Sequence, residues 1–335
     1  MKELGIIIVH HDEIQHIPVV LDCLANQSYK NFKVFIVDNN SKPENKKALR
    51  ELVTHYTIEI EVIWNKHNLY YTGGNNTVLK NLETHFTCVM NPDIVFEPDF
   101  LEDCIGFFFN RNHQPDVFTP KSNYYSMKNR VWYAGAKITP FDKKFSHHVG
   151  LLEKDSKQFV VIRKTDYANG ACLFFKTSVI DVVGLFDEIL LIYSDDMDLS
   201  LRARNAGLNV IYDGYETFYH KVKSNVLAKD KRVGVRDSRF LYYLLLRNNV
   251  IVLWKNFPFW VVVGSSLTWG LYNLVAATLL NILYRKFDLI RMHLRALVVG
   301  FMIGFRRRTH RRCGDMMLSE LKYVETLKAK RTDDK

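Results

Sequence analysis

Three aspartates stand close together near the middle of the chain, at Asp195, Asp196 and Asp198. They follow an apolar run, Ile189 to Tyr193, and precede a short helical pattern that Gly207 can end. Acids at a helix start are favoured by the helix dipole, so simple capping is the alternative for any one of them. Asp195 and Asp196 are adjacent and point to different sides, so one can cap while the other faces a cleft. A carboxylate in a cleft is suited to general-base catalysis.

A metal ligand is predicted in the same neighbourhood. His220 ends the apolar segment that follows the acids and brings a neutral nitrogen ligand. Asp93 stands at the end of another apolar run, FTCVMNPD, and hard cations prefer oxygen ligands. Asp93 is therefore placed to hold a divalent cation on a diphosphate, and His220 is a second possible metal ligand.

Strand and helix patterns alternate through the first 97 residues. Continuous apolar runs predict buried parallel strands at LGIIIV, FKVFIVD, IEIEVIWN and FTCVMNPD. Helical spacing lies between them, and Gly73 to Asn76 are predicted to open the helix before the fourth strand. This alternation predicts an α/β fold with a doubly wound, Rossmann-like sheet. The usual dinucleotide-binding fold is not expected, because no G-x-G-x-x-G follows the first strand.

Polar residues collect where these strands end. In such sheets ligands bind at the carboxyl ends of the strands. Each polar residue is also a good turn former, and for Asn40 or Asn65 that is the stronger alternative. Asp38 is placed to accept a hydrogen bond from a base or ribose. The polar residues at these ends are His10 to Asp12, Asp38 to Asn40, Asn65 to Asn68, and Asn91 to Asp93.

Composition and charge narrow the function classes. The five cysteines are scattered without CxxC spacing, which indicates thiols in a reducing compartment. The apolar run at the N-terminus is too short for a signal peptide and predicts a first strand, so we expect a cytoplasmic protein. Of the net charge of +10, most lies in residues 285–335, where 14 Lys or Arg stand against 6 Asp or Glu. This distribution argues against a nucleic-acid-binding surface.

The C-terminal region is apolar and basic. No charge occurs from Phe257 to Tyr284, which is long enough for a membrane span of ~20 residues, but cations flank both ends. We therefore expect residues 237–312 to form helices that lie in, or dip into, the inner face of the plasma membrane, as a peripheral or monotopic attachment. RRRTHRR at 306–312 would add attraction to anionic lipid, and 313–335 would be a charged tail. The alternative is a homo-oligomer formed through these helices.

Aromatic residues and histidines stand close together in residues 132–150. Trp132 and Tyr133 could stack on a sugar, although core packing is the more common use of such a pair. His147 and His148 are expected to be solvated, because no ligand of fitting spacing accompanies them.

Six motifs over residues 4–256 resemble one known family. The motifs are IIIVHHDE, VDNNS, NKHNLYYTGGNN, NPDI, the run NGACLFFKTSVIDVVGLFDE followed by YSDDMDLSLRARNAG, and the late YH pair. In this order they resemble the inverting family-2 glycosyltransferases with a GT-A fold, and most of all the rhamnosyltransferase-type members. The resemblance implies a catalytic domain at 1–236, with a nucleotide-sugar-binding half at 1–97 and a mixed-sheet acceptor half at 98–236.

The resemblance also implies roles for particular residues. Asp38 would bind the nucleotide, Gly74 and Asn76 would let the loop approach the donor, and Asp196 would be the catalytic base. The candidate nucleotide-sugar contacts are then His10, Asp12, Asp38, Asn40, Asn68, Gly74, Asn76 and Asn91. Asp93 would bind a divalent metal (Mg²⁺ or Mn²⁺) with His220. The segment from Trp132 to Gly150 would lie over the acceptor side, with Trp132 and Asp195 as candidate acceptor contacts. Asn91 stands where some members have an aspartate, and HHD at 10–12 replaces the commoner Thr-Tyr-Asn.

The resemblance predicts the reaction in outline. A rhamnosyl or similar sugar would pass from a nucleoside-diphosphate sugar to a hydroxyl, and the tail suggests a lipid-linked saccharide in cell-surface polysaccharide synthesis as acceptor. The processive Q-x-x-R-W signature is absent, which favours single-sugar transfer. Two alternatives remain open, a nucleotidyltransferase on a similar sheet and a catalytically inactive, lipid-bound adaptor.

Overall fold

The computed structural model describes residues 2–142, 144–221, 239–283, 287–308 and 319–327. The chain divides into two compact units, residues 1–137 with 148–222, and residues 138–147 with 223–335. The predicted boundary at 236/237, residues 309–312 of the arginine cluster and most of the predicted tail lie outside the described residues.

The first unit is built on a ten-stranded sheet, and a separate two-stranded ribbon consists of β8 and β9. The strands are β1 (Leu4–His10), β2 (Phe32–Asp38), β3 (Ile60–Trp64), β4 (Phe86–Met90), β5 (Ile94–Phe96), β6 (Val117–Tyr124), β7 (Val131–Tyr133), β8 (Ala136–Ile138), β9 (Ser146–His148), β10 (Ile162–Lys164), β11 (Cys172–Lys176) and β12 (Val210–His220).

One half of the sheet is parallel and the other is mixed. Strands β3, β2, β1 and β4 are parallel neighbours in that order, with Ile6 aligned to Val34 and Cys88. Beyond β4 the sheet continues through antiparallel β11 to β6 and β12, which run parallel to each other. The predicted α/β fold, with a Rossmann-like half and a mixed half, is confirmed. Because parallel strands share a direction, the ends of β1, β2 and β4 lie at one edge.

Six helices pack on this sheet in the described residues: α1 (Ile17–Ala25), α2 (Pro43–Val53), α3 (Tyr70–Leu79), α4 (Phe100–Phe108), α5 (Val179–Val183) and α6 (Asp195–Asn205). Two apolar clusters cover the two faces, one around Ile6, Ile8 and Phe118 and the other around Ile7, Val89 and Phe175. Burial on both faces explains why the first strands are continuously apolar rather than alternating.

The prediction that Gly73 to Asn76 open a helix is wrong. Helix α3 begins at Tyr70, whose N–H donates to the Asn68 Oδ1 at 2.8 Å, so the glycines lie inside the helix. A Cβ on Gly74 would stand 2.6 Å from the Val9 Cγ1, closer than real side chains approach. The glycine therefore lets α3 pack tightly on β1.

From residue 239 onward the described part of the second unit is helical, with α7 (Arg239–Asn256), α8 (Phe259–Ser265), a π-helical turn (Ser266–Gly270), α9 (Leu271–Leu283), α10 (Phe287–Arg308) and a helix at 319–327. Arg247 is completely buried, and its guanidinium lies 3.6 Å from the Glu320 carboxylate, which Arg295 also contacts at 2.6 Å. This ion triad fixes the helix at 319–327 to α7 and α10.

Candidate active site

Asp195 and Asp196 are the first two residues of α6. Asp195 is buried, with 4% of its surface exposed, whereas Asp196 is partly exposed. Asp196 accepts two backbone hydrogen bonds, from the Gly170 N–H to Oδ2 at 2.9 Å and from the Met197 N–H to Oδ1 at 2.8 Å. The two adjacent carboxyls thus lie in different surroundings, and solvent reaches mainly that of Asp196.

The environment of the pair makes both carboxyls more basic. Burial raises the pKa of Asp195 well above its usual range, and the neighbouring charge of Asp196 raises it further. Burial also raises the pKa of Asp196, although the Gly170 and Met197 N–H groups stabilise its carboxylate and limit the rise. A carboxylate with a raised pKa is a stronger base than an ordinary aspartate. Asp196, the accessible member, is therefore suited to take a proton from a hydroxyl.

Strand pairing brings Asp93 and His220 together. Strand β5 begins directly after Asp93 and pairs with β12 so that Ile94 is aligned with His220. The Asp93 Oδ1 and His220 Nε2 atoms are 3.1 Å apart, and the Lys221 N–H donates to the Asp93 carbonyl at 2.8 Å. Burial disfavours the charged form of Asp93, but the hydrogen bond from His220, the charge of His220 and smaller contributions together outweigh it and lower the pKa of this carboxyl.

These two side chains fit a divalent cation as a pair of ligands. A carboxylate oxygen and an imidazole nitrogen within contact distance suit Mg²⁺ or Mn²⁺, and the Nδ1 of His220 is buried without a hydrogen-bond partner. No cluster of three or more His, Cys, Asp or Glu side chains in the described part of the chain could hold a metal. A cation here would need further ligands from a bound diphosphate.

His10 and Asp38 end the neighbouring strands β1 and β2, and both side chains are fully buried. The His10 Nε2 and Asp38 Oδ2 atoms are 3.3 Å apart, but neither makes a well-aligned hydrogen bond. The other Asp38 oxygen accepts from the Ser41 N–H at 3.1 Å. Burial lowers the pKa of His10, so its ring is neutral. The structure therefore places both residues beneath the surface of the sheet edge.

Asp12 and Asn40 lie in the loops just beyond these strands. The Asp12 Oδ1 accepts from the Lys42 N–H at 2.8 Å and from the Asn45 Nδ2 at 2.9 Å. Although burial opposes it, these two hydrogen bonds lower the pKa of Asp12. Asn40 is exposed and accepts from the Lys46 Nζ at 3.0 Å. The Asp12 carboxylate thus ties the two loops together.

Three other predicted donor contacts are engaged with the protein itself. The Asn68 side chain accepts a hydrogen bond from Tyr70, the first residue of α3, and Gly74 packs on β1. The Asn76 amide accepts from the Phe186 N–H at 3.1 Å and donates to the Phe186 carbonyl at 2.9 Å. These contacts are internal, and they hold α3 against the chain that precedes the acid pair.

Trp132 lies beside the Asp93 and His220 pair. Its ring centroid is 4.4 Å from that of His220 and 5.2 Å from that of His148, both edge-on. His147 is exposed as expected, but the prediction that His148 is solvated is wrong, because its ring is half-buried against Trp132 and Tyr133. No spacing in the sequence reveals this, since the contact depends on how β9 folds back.

Backbone hydrogen bonds connect the cation pair to the acid pair. The N–H of Asn91, two residues before Asp93, donates to the Ala171 carbonyl at 2.9 Å. The adjacent Gly170 donates to Asp196, and its carbonyl accepts from the Tyr71 Oη at 2.6 Å. Tyr71 is a further residue of this site that motif reading did not single out.

Curated proteins similar to this chain include glycosyltransferases of glycan biosynthesis. The low-salt glycan biosynthesis hexosyltransferase Agl10 of Haloferax volcanii is 22% identical over 214 residues, 63% of this chain and 64% of that protein. The amylovoran biosynthesis glycosyltransferase AmsB of Erwinia amylovora is 26% identical over 250 residues, 72% of this chain and 77% of that protein. The chain spans only 24% of an uncharacterized Sinorhizobium fredii protein, y4gI, to which it is 22% identical.

Solved structures show the same architecture at low identity. S. aureus TarS 1-349 in complex with UDP-GlcNAc has a TM-score of 0.56 and 14% identity, over 99% of this chain and 88% of that one. The Pyrobaculum calidifontis mannosyltransferase PcManGT in complex with GDP-Man and Mn²⁺ has a TM-score of 0.53 and 13% identity, over 90% and 87%. Residues 5–183, more than half of the chain, match the family described as Glycosyl transferase family 2. The chain therefore belongs to glycosyl transferase family 2.

Proposed function

We propose that this chain is a metal-dependent inverting enzyme that transfers one sugar, a rhamnosyl or similar unit, from a nucleoside-diphosphate sugar. The acceptor would be a hydroxyl of a lipid-linked saccharide in cell-surface polysaccharide synthesis. The observation that carries the proposal is the joined pair of sites: Asp93 with His220, and Asp196 bonded to Gly170. A cation held by Asp93 and His220 would neutralise the charged leaving group, and Asp196 would take the proton of the acceptor hydroxyl.

In the proposed mechanism Asp196 takes the proton of the acceptor hydroxyl as that oxygen attacks the anomeric carbon. The attack comes from the face opposite the diphosphate, so a single displacement inverts the anomeric centre and needs no covalent enzyme intermediate. Asp93 and His220 would hold the cation, which neutralises charge on the departing diphosphate. Trp132, half-buried beside His220, would contact the acceptor sugar. Asp195 is adjacent to the base but buried, which argues against the acceptor contact predicted for it.

Support for the donor and the cation comes from relatives of the same fold. TarS 1-349 was solved with UDP-GlcNAc, and PcManGT with GDP-Man and Mn²⁺. The carboxyl ends of β1, β2 and β4 provide the edge for a nucleotide here, with His10, Asp12, Asp38, Asn40 and Asn91 at or beside it.

We further propose that the helical unit attaches to a membrane surface. Phe259–Ala276 is the only stretch of the described residues long and apolar enough to cross a membrane, and 22% of it is buried. Leu267, Leu271, Val275, Leu279 and Leu283 follow at four-residue intervals, and all five are exposed. Four-residue spacing puts them on one face of the helix, which suits an interfacial attachment.

The arginines of α10 contribute less than their number suggests. The Arg308 guanidinium donates to the Trp254 and Phe257 carbonyls at 3.1 and 2.6 Å, so it caps α7. Attraction to anionic lipid is ~1 kcal/mol per free basic group near the surface. The apolar face, rather than the arginines, should therefore dominate the attachment.

A thermal-shift experiment on the full-length protein in detergent tests the proposed function. UDP-GlcNAc, GDP-mannose and dTDP-rhamnose are each added with Mg²⁺, with Mn²⁺ or with chelator. At a hundredfold excess over Kd, a ligand stabilises the folded state by about 2.7 kcal/mol, which raises Tm by several degrees. We expect one donor to do so only when a cation is present.

Two matched variants sharpen this experiment. Asp93→Asn should abolish the cation-dependent shift, whereas Asp99→Asn should keep it, because Asp99 is exposed and its side chain caps nothing. A shift of equal size in chelator would contradict the cation site. The absence of a shift with all three donors and both cations would count against the proposed donor class.

A further inference from the structure

The residues directly before the acid pair have a strained backbone. Leu191, Tyr193 and Ser194 have φ values of 65°, 71° and 60°, a left-handed region that bulky L-residues rarely occupy. Such strain persists only where surrounding contacts over-determine the conformation. Ser194 directly precedes Asp195, so the strained residues set how α6 begins.

We call the chain from Val183 to Ser194 the strained segment. The guanidinium of Arg202 fixes its start. Arg202 donates from Nη1 to the carbonyls of Val183 and Gly184, the latter at 3.1 Å, and from Nη2 to that of Leu185 at 3.0 Å. Its Nε donates to the Asp198 Oδ2 at 2.9 Å, and the Asp198 side chain is fully buried. Only arginine provides enough donors in a rigid fork for these partners at once. Three consecutive carbonyls are therefore held against α6.

Helix α3 fixes the rest of the segment. The Asn76 amide bonds both the N–H and the carbonyl of Phe186. Further along, the Leu191 carbonyl accepts from the Thr72 N–H at 3.0 Å and from the Thr72 Oγ at 3.2 Å. The segment is thus tied at its beginning, through Val183 to Phe186, and at its strained end, through Leu191. Motif reading had assigned the residues that tie it to the donor or to no role.

We propose that Arg202, Asn76 and Thr72 are positioning residues, which hold the strained segment so that Asp196 meets the Gly170 N–H and presents its carboxylate to the acceptor. This inference rests on the proposed role of Asp196 as the base. It also gives Asn76 a role different from the donor contact that the family resemblance implies.

Arg202→Lys is the informative variant. Lysine keeps the charge opposite Asp198 but cannot bind three carbonyls, so the segment relaxes and Asp196 moves away from the Gly170 N–H. A displacement of about 1 Å in a catalytic group costs ~10²-fold in rate, and we expect a loss of kcat of that order with KM for the donor nearly unchanged. Thr72→Val, which keeps the shape and removes one hydrogen bond, should give a smaller loss in the same direction and serves if Arg202→Lys folds poorly.

A pH series separates positioning from mere stability. The Gly170 N–H stabilises the carboxylate form of Asp196. Loss of this hydrogen bond should therefore raise the pKa of the base and shift the acid limb of the pH profile of kcat to higher pH. The other titratable groups that face Asp196 are Asp195 and the phenols of Tyr71 and Tyr133. Burial raises the pKa of both phenols well above the usual value, so they stay neutral throughout.

The control is Arg204→Lys, on the same helix. Arg204 pairs with Asp166 at 2.8 Å, is 41% exposed and contacts no part of the strained segment in the described bonds. Its replacement should leave kcat and the acid limb unchanged.

The assay is hydrolysis of UDP-GlcNAc, GDP-mannose and dTDP-rhamnose, run in parallel with Mg²⁺ on full-length protein. In the wild-type background, Arg202→Lys should lower kcat and shift the acid limb of its pH profile. In an Asp196→Asn background, where the base is already gone, the same replacement should lower kcat less than twofold. An unshifted acid limb, or an equal loss in both backgrounds, would overturn the positioning role. An Asp196→Asn variant with full activity would instead refute the base assignment, which keeps the two failures distinct.

Discussion

Replacing Asp196 by asparagine tests the base assignment within the acid pair. Asparagine is nearly isosteric but cannot take a proton from a hydroxyl, so donor hydrolysis and transfer should fall by ~10²- to 10⁴-fold. At ~1.4 kcal/mol per factor of ten, this is a loss of about 3 to 5 kcal/mol of transition-state stabilisation. Binding of the donor should change little, because no contact to the diphosphate is removed.

The structure also predicts a modest cost in stability for this variant. The carboxylate of Asp196 accepts from the Gly170 and Met197 N–H groups with different oxygens, and an amide offers only one oxygen. One N–H then faces an NH₂ group, and a mismatch of this kind costs ~1–3 kcal/mol when buried. Since Asp196 is partly exposed, the lower end applies. Urea unfolding should show a decrease of about 1 kcal/mol in the free energy of unfolding.

Asp195→Asn should instead stabilise the protein, because burial raises the pKa of Asp195 further than that of Asp196, whose carboxylate the Gly170 and Met197 N–H groups stabilise. Burial raises the folded-state pKa of Asp195, so its contribution to stability is complete below the unfolded value of about 4 and is lost as pH rises through the folded value. Removing this ionisable group should therefore stabilise the protein at neutral pH, increasingly so from pH 4 upward, while kcat stays within a few fold. An inactive Asp195→Asn beside an active Asp196→Asn would refute the reasoning.

Three further predictions concern the cation, the packing of α3 and the membrane. Asp93→Ala or His220→Ala should raise the cation concentration needed for half-maximal hydrolysis at least tenfold, measured by metal titration; unchanged titrations would exclude both as ligands. Gly74→Ala should destabilise the protein by ~1–3 kcal/mol in urea unfolding, because its Cβ would meet Val9; an unchanged midpoint would show that α3 can shift freely. Leu271→Asp should weaken co-sedimentation with anionic vesicles without changing hydrolysis in detergent, and full retention on vesicles would locate the attachment elsewhere.

The elements of the parallel half follow from local patterns. β1, β2 and β4 are continuous apolar runs buried on both faces, and a run of that kind has few alternatives in an α/β chain. The prediction at Gly73 and Gly74 failed because glycine occurs both at helix starts and at close helix–strand contacts. Only the residue that faces Gly74 in the fold, Val9, distinguishes the two cases.

The site was less predictable than the fold, because several of its contacts depend on long-range register. Asp93 and His220 could be nominated by residue type and position, yet their 3.1 Å separation comes from the pairing of β5 with β12. The bonds of Asn76 to Phe186 join residues 110 positions apart, and no spacing rule reaches that far. A motif identifies the residue, while the fold determines what its side chain contacts.

The anomeric configuration of the first released sugar tests the central claim most directly. The full-length protein is incubated with the donor that stabilises it and with Mg²⁺, and ¹H NMR spectra are collected before the free sugar can equilibrate between its anomers. A single displacement assisted by Asp196 predicts that the sugar first appears with the configuration opposite to that of the donor. Release with the donor's own configuration would require a double displacement or another path and would contradict the mechanism proposed for this chain.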